Sequence, residues 1–98
     1  MFIHVVMMSF KAAADAAFHA RVQAYAQRVQ AECEGLVHYL YGDNEASRAD
    51  GLTHAVVSSF VDAAAHERYQ LSPAHLEMKA YMADYIERMA VFDSGQWG

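Results

Sequence analysis

A chain of 98 residues has room for one domain, and this one is apolar for its size, with 55% hydrophobic and 19% charged residues. A formal net charge of −5, with seven scattered Lys and Arg, argues against nucleic acid or an anionic membrane as partner. A single cysteine, Cys33, cannot form an internal disulfide, no Cys/His cluster has zinc spacing, and no apolar run is long enough to cross a membrane. The N-terminus carries neither a basic segment nor a small-residue cleavage site, so the expectation is a soluble cytoplasmic protein. The apolar surplus points to a pocket or a subunit interface.

Phe2 to Phe10 reads as a strand. Phe2, His4, Val6, Met8 and Phe10 point one way, and Ile3, Val5, Met7 and Ser9 the other. Both faces are largely apolar, so both should be covered. Ala12 to Glu34 reads as a helix with its apolar stripe at Phe18, Val22, Tyr25 and Val29. Asp15 suits its start and Gly35 its C-terminal cap. His19, Arg21, Gln23 and Arg28 fall off the stripe and read as solvated.

Leu36 to Tyr41 reads as a second strand, with Val37, Tyr39 and Tyr41 on one face. Gly42 to Gly51 is polar and turn-forming, too long for a tight hairpin. Thr53 to Val61 is a third strand, with His54, Val56, Ser58 and Phe60 sharing a face. Asp62 should cap a short helix from Ala63 to Leu71. A further helix, Pro73 to about Arg88, carries the stripe Met78, Met82, Tyr85, Ile86 and Met89, and Ala90 to Asp93 is a short last strand. Ser94 to Gly98 reads as a tail carrying the only tryptophan, Trp97.

The chemistry concentrates in Tyr69-Gln70-Leu71-Ser72-Pro73-Ala74-His75. The only proline must break or kink a helix that reaches it, and it suits the first position of a new one, with Ser72 as N-cap. His75 then lies in a first helical turn, where the positive end of the helix dipole disfavours imidazolium. A neutral histidine is the state a general base requires. The same residues also serve simply to satisfy free helix N–H groups.

The order β-α-β-β-α-β is the ferredoxin-like plan, an α+β fold with an antiparallel sheet and both helices on one face. Two helices leave the other apolar face bare. A second copy of the chain is the simplest cover, which predicts a homodimer with sheets packed face to face. Parity then assigns His4, Val6, Met8, His54 and Val56 to the helix side, and Val5 and Val57 to the dimer side. His4 and His54 are expected to share a cavity with Tyr69 and His75.

Four stretches resemble the stress-responsive A/B barrel family: His4-Val5-Val6-Met7-Met8-Ser9-Phe10, Gly51-Leu52-Thr53-His54-Ala55-Val56-Val57, the Tyr69 to His75 segment against the family's Tyr, two residues and His-Pro-Ala-His, and Val91-Phe92-Asp93. They span nearly the whole chain, and the resemblance implies a dimeric α+β barrel. A plant polyketide cyclase of that family closes its substrate by aldol condensation. The resemblance to it implies His75 as base, Tyr69 as the group that orients the substrate, and His4 and His54 as pocket lining, with no cofactor. Two departures stand out. Ser72 replaces the first histidine of His-Pro-Ala-His, and Val22, Gln23 and Ala26 occupy the region where the cyclase has a pocket tyrosine, so a ligand would meet Val22 there.

Three readings follow for function. One is a small-molecule-binding dimer for an apolar or polyketide-like ligand. Another is a cofactor-free enzyme acting beside a carbonyl, a cyclase or isomerase, with a cofactor-free monooxygenase as a further enzyme of this architecture. The third is a purely structural dimer.

Overall fold

A computed structural model describes residues 1–97. The element order is β1 (Phe2–Phe10), α1 (Ala16–Glu32), β2 (Leu36–Asp43), β3 (His54–Phe60), α2 (Ala63–Gln70), α3 (Pro73–Met82) and β4 (Ile86–Ser94). The strands form one antiparallel sheet in the order β2-β3-β1-β4. This is the α+β, ferredoxin-like arrangement expected from the order of elements.

Side-chain caps decide where the helices begin. The Asp15 carboxylate accepts from the Phe18 N–H at 2.9 Å, so α1 starts at Ala16 rather than Ala12, and the alanines before it form a turn. The local cap outweighs the helix preference of alanine. Asp62 accepts from the Ala65 N–H at 2.8 Å, and Ser72 Oγ from the His75 N–H at 3.2 Å. Pro73 opens α3, and α2 stops at Gln70, so the chain breaks at the proline as expected.

Gly35 lies beyond the Cys33 C-cap of α1, with φ +83°. A Cβ there would stand 2.7 Å from Ala65 Cβ, so this position needs glycine for both its backbone and its space.

Two further features differ from expectation. α3 ends at Met82 and β4 already begins at Ile86. The spacing of Ile86 and Met89 fits a helix, yet Met89, Val91 and Asp93 also alternate with period two, and pairing with β1 selects that pattern. In β2, Leu36 pairs with Phe60 and His38 with Ser59, so Val37 is the extra residue of a bulge. It is therefore exposed instead of sharing the buried face of Tyr39 and Tyr41.

The core lies between sheet and helices. α1 buries Phe18, Val22, Ala26 and Val29 against Tyr39, Tyr41, Val56 and Phe60, while α2 and α3 add Ala65, Tyr69, Ala74, Met78 and Met82. His19 is half-buried against this packing rather than solvated, with Nδ1 meeting Tyr41 OH at 2.8 Å, while Gln23 stays exposed as expected and its amide donates to the Tyr41 carbonyl at 2.7 Å. Arg21 lies over the Tyr81 ring at 4.4 Å, and Arg28 pairs with Glu32 and Glu77.

The opposite face of the sheet is apolar and bare. Leu40, Val57, Val5 and Phe92 stand side by side across all four strands, and Leu40 and Phe92 are 61% and 60% exposed.

Candidate functional site

A cavity of about 310 Å³ opens between the sheet and the α2–α3 break. Its floor is His4, Val6 and Met8 of β1, Tyr39 of β2, Val56 of β3, and Met89, Val91 and Asp93 of β4. Its roof is Tyr69, Gln70, His75, Met78, Lys79 and Met82. Most of this lining is apolar, and the polar groups converge at one end. The volume falls at the low end of the range for small-molecule sites.

The break at Pro73 turns α3 onto a new axis, which brings the rings of Tyr69 and His75 to 4.3 Å between centroids. His75 Nδ1 sits 3.1 Å from the Gln70 carbonyl oxygen. A carbonyl only accepts, so Nδ1 carries the proton and Nε2 keeps its lone pair. Burial lowers the His75 pKa, with the Gln70 carbonyl opposing and the Lys79 charge adding to the lowering. The ring is thereby held in the neutral, proton-accepting form.

Tyr69 is buried, and its hydroxyl meets that of Tyr39 at 2.9 Å. Burial raises both phenols, Tyr39 to about 12, so both remain neutral hydrogen-bonding groups at physiological pH. Tyr39 OH also reaches Met78 Sδ at 3.5 Å.

His4 is buried and donates from Nδ1 to the Asp93 carboxylate, directly across the β1–β4 pair. Its ring packs 4.6 Å from that of His66 and 5.9 Å from that of Tyr69. His66 is buried as well, and its pKa is lowered first by burial and then by His4.

Of the residues singled out in the sequence, His4, Val6, Met8, Val56, Tyr69 and His75 line this one cavity. His54 does not. It pairs with Met8 at the other end of β1, stacks on His19 at 4.2 Å and bonds Asp43 at 3.0 Å. Both histidines share the helix-side parity, but parity fixes the face and leaves the position along the strand open. Val22 is fully buried in the core and is not among the cavity residues. Tyr39, His66, Gln70, Met78 and Asp93 were not singled out as site residues. His66 lies three residues before Tyr69, a spacing that shares a helix face and could have revealed it.

Residues 2–95 match the model of the stress responsive A/B barrel domain. The chain belongs to this family. No curated protein matches it in sequence. Among solved structures, a protein of Arabidopsis thaliana is 23% identical with a TM-score of 0.83, over 100% of this chain and 97% of that one. The hydroxynitrile lyase of Passiflora edulis is 23% identical, TM-score 0.83, over 95% and 90%. A dimeric ferredoxin-like protein of unknown function from Thermobifida fusca is 17% identical, TM-score 0.83, over 96% and 89%. At these identities the likeness establishes the fold of the A/B barrel protein and leaves its activity open. No helix among its described residues is long and apolar enough to cross a membrane.

Proposed function

We propose that residues 1–98 act as one A/B barrel domain that forms a homodimer and holds a small, largely apolar molecule with one polar end. The cavity carries the reading: an apolar hollow with Tyr69 and His75 side by side at one end. A phenol, ketone or polyketide-like ligand suits it, since Tyr69 offers a hydroxyl and His75 an unprotonated nitrogen. The dimer would cover the bare row of Leu40, Val57, Val5 and Phe92, and it is supported by the dimeric neighbour of the same fold. The proposal places the protein in the cytoplasm, where its single thiol, Cys33, would stay reduced.

Ligand-observed NMR with a panel of alkyl phenols and methyl ketones tests this. Binding should appear for the wild-type protein, weaken in Tyr69→Phe and vanish in Val91→Trp. Val91 is half exposed, so a larger side chain on this part of the floor fills the cavity without straining the core. Binding that survives both substitutions sinks the reading.

The tautomer of His75 supports a second reading, a cofactor-free enzyme that removes a proton beside a carbonyl. His75 Nε2 would take the α-proton, and Tyr69 would hydrogen-bond the enolate oxygen. The presence of a hydroxynitrile lyase among the structural neighbours is compatible with an enzyme on this fold. Deuterium exchange of a bound ketone, followed by NMR, should slow by about 10²–10⁴ in His75→Ala. Equal exchange rates would leave binding alone.

A further inference from the structure

At the end of the cavity, His4, His66 and Asp93 each present one ligand atom within 4.8 Å of the other two. They come from three elements, β1, α2 and β4, so the fold itself assembles them. Two imidazoles and a carboxylate form a donor set typical of divalent transition metals. We propose that His4, His66 and Asp93 form a binding site for one divalent transition-metal ion of the Zn²⁺, Co²⁺ or Ni²⁺ type.

The geometry asks for little movement. Ligand atoms on one tetrahedral zinc stand about 3.3 Å apart, so the widest separation must close by at most about 1.5 Å. His4 and Asp93, now hydrogen-bonded, must open to a similar distance, with the ion replacing the proton between them. The Gln70 amide donates to His66 Nε2 at 3.2 Å, which marks that nitrogen as a lone-pair carrier. Gln70 is exposed, so its amide can yield to an ion and turn to water.

The surroundings hold the imidazoles in place. Phe2 stacks on His66 at 4.7 Å, and Phe60 meets its edge at 5.2 Å. Both histidines are at least nine-tenths buried, while Asp93 is partly exposed and offers an entry route. His4 and Asp93 line the cavity, so the ion's remaining coordination positions would open onto it. An ion there would add a Lewis acid at the same polar end of the pocket as Tyr69 and His75, since the His4 and Tyr69 rings lie 5.9 Å apart. This inference does not rest on ligand binding or on catalysis by His75.

The test is titration of untagged, EDTA-treated protein with Co²⁺, read by its visible d–d absorption, followed by Zn²⁺ competition in the calorimeter. One Co²⁺ per chain should bind, with an absorption pattern of low coordination number, and Zn²⁺ should displace it. His66→Gln and Asp93→Asn should each weaken binding by at least about 100-fold, more than loss of an outer-shell partner usually costs. His75→Ala should bind as wild type, which separates this site from the proposed ligand-binding pair. Circular dichroism of each variant guards against loss of fold, and a His66→Phe variant gives a second measurement with an apolar ring in place. Binding of less than one ion per chain, or unchanged affinity in folded His66→Gln and His66→Phe, would overturn the site. The three residues would then be a hydrogen-bonded cluster.

Discussion

Tyr69 and His75 are six residues apart, yet their rings meet at 4.3 Å with a tilt of 43°. On one continuous helix, six steps would set the side chains roughly 120° apart. The contact exists because Ser72 and Pro73 end one helix and start another. Ser72 Oγ does this twice over, accepting from the His75 N–H and donating to the Tyr69 carbonyl at 2.8 Å.

Ser72→Ala should therefore cost about 0.5–2 kcal/mol, the usual loss for a helix cap, in urea unfolding. It should also weaken ligand binding, because the hydroxyl joins the two residues that form the polar end of the cavity. A stability loss with unchanged affinity would show that packing alone positions His75.

Acid should destabilise the protein through its histidines. The pKa values of His54, His66 and His75 are all lowered from about 6.5, in each case first by burial. The unfolded chain then takes up protons at higher pH than the folded one. The resulting stability is present above about pH 6.5 and is lost as pH falls through the lowered folded values. Urea midpoints measured from pH 7.5 to 5 should fall, and His66→Phe should flatten part of that slope. A flat profile in wild type would contradict the assignment.

Val5→Asp and Val57→Asp should each shift the protein from twice the chain mass to the chain mass in sedimentation equilibrium. Both residues sit in the apolar row on the helix-free face, opposite one another in β1 and β3. A carboxylate at the centre of a buried sheet interface is costly without a partner. Wild-type protein that sediments as a monomer at micromolar concentration would rule out the dimer directly.

Gly35→Ala should lower stability by about 2–5 kcal/mol, combining the left-handed backbone cost with overpacking. The added methyl would meet Ala65 Cβ at 2.7 Å. The companion change Ala65→Gly should recover the steric part and leave the backbone part. No steric recovery would indicate that α2 shifts away from Gly35 to accept the methyl.

Much of the fold was legible because its signals are local. Asp15, Asp62 and Ser72 cap the helices they were expected to cap or begin, and strand parity put Val6, Met8 and Val56 on the helix side. What was missed depends on contacts between distant segments. The end of α3 is ambiguous in the sequence because Ile86 and Met89 satisfy a helical period as well as a strand, and only pairing with β1 decides. The bulge at Val37 is likewise a property of the β2–β3 pair. His54 and His4 share a parity and both stand near the start of their strands, but β1 and β3 run antiparallel, so the two lie at opposite ends of the sheet, which alternation alone does not reveal. The meeting of His4, His66 and Asp93 depends on three elements at once, and no spacing along the chain encodes it.

The pairing of β1 with β4 joins almost the first residues of the chain to almost the last. During synthesis β1 emerges well before β4 and must wait for it with one hydrogen-bonding side open, although β3 reaches its other side much earlier. The cavity floor contributed by Met89, Val91 and Asp93 is thus completed only when β4 leaves the ribosome. A nascent chain stalled before Ile86 would hold its helices over an unfinished sheet, with an apolar strand edge available to any neighbouring chain.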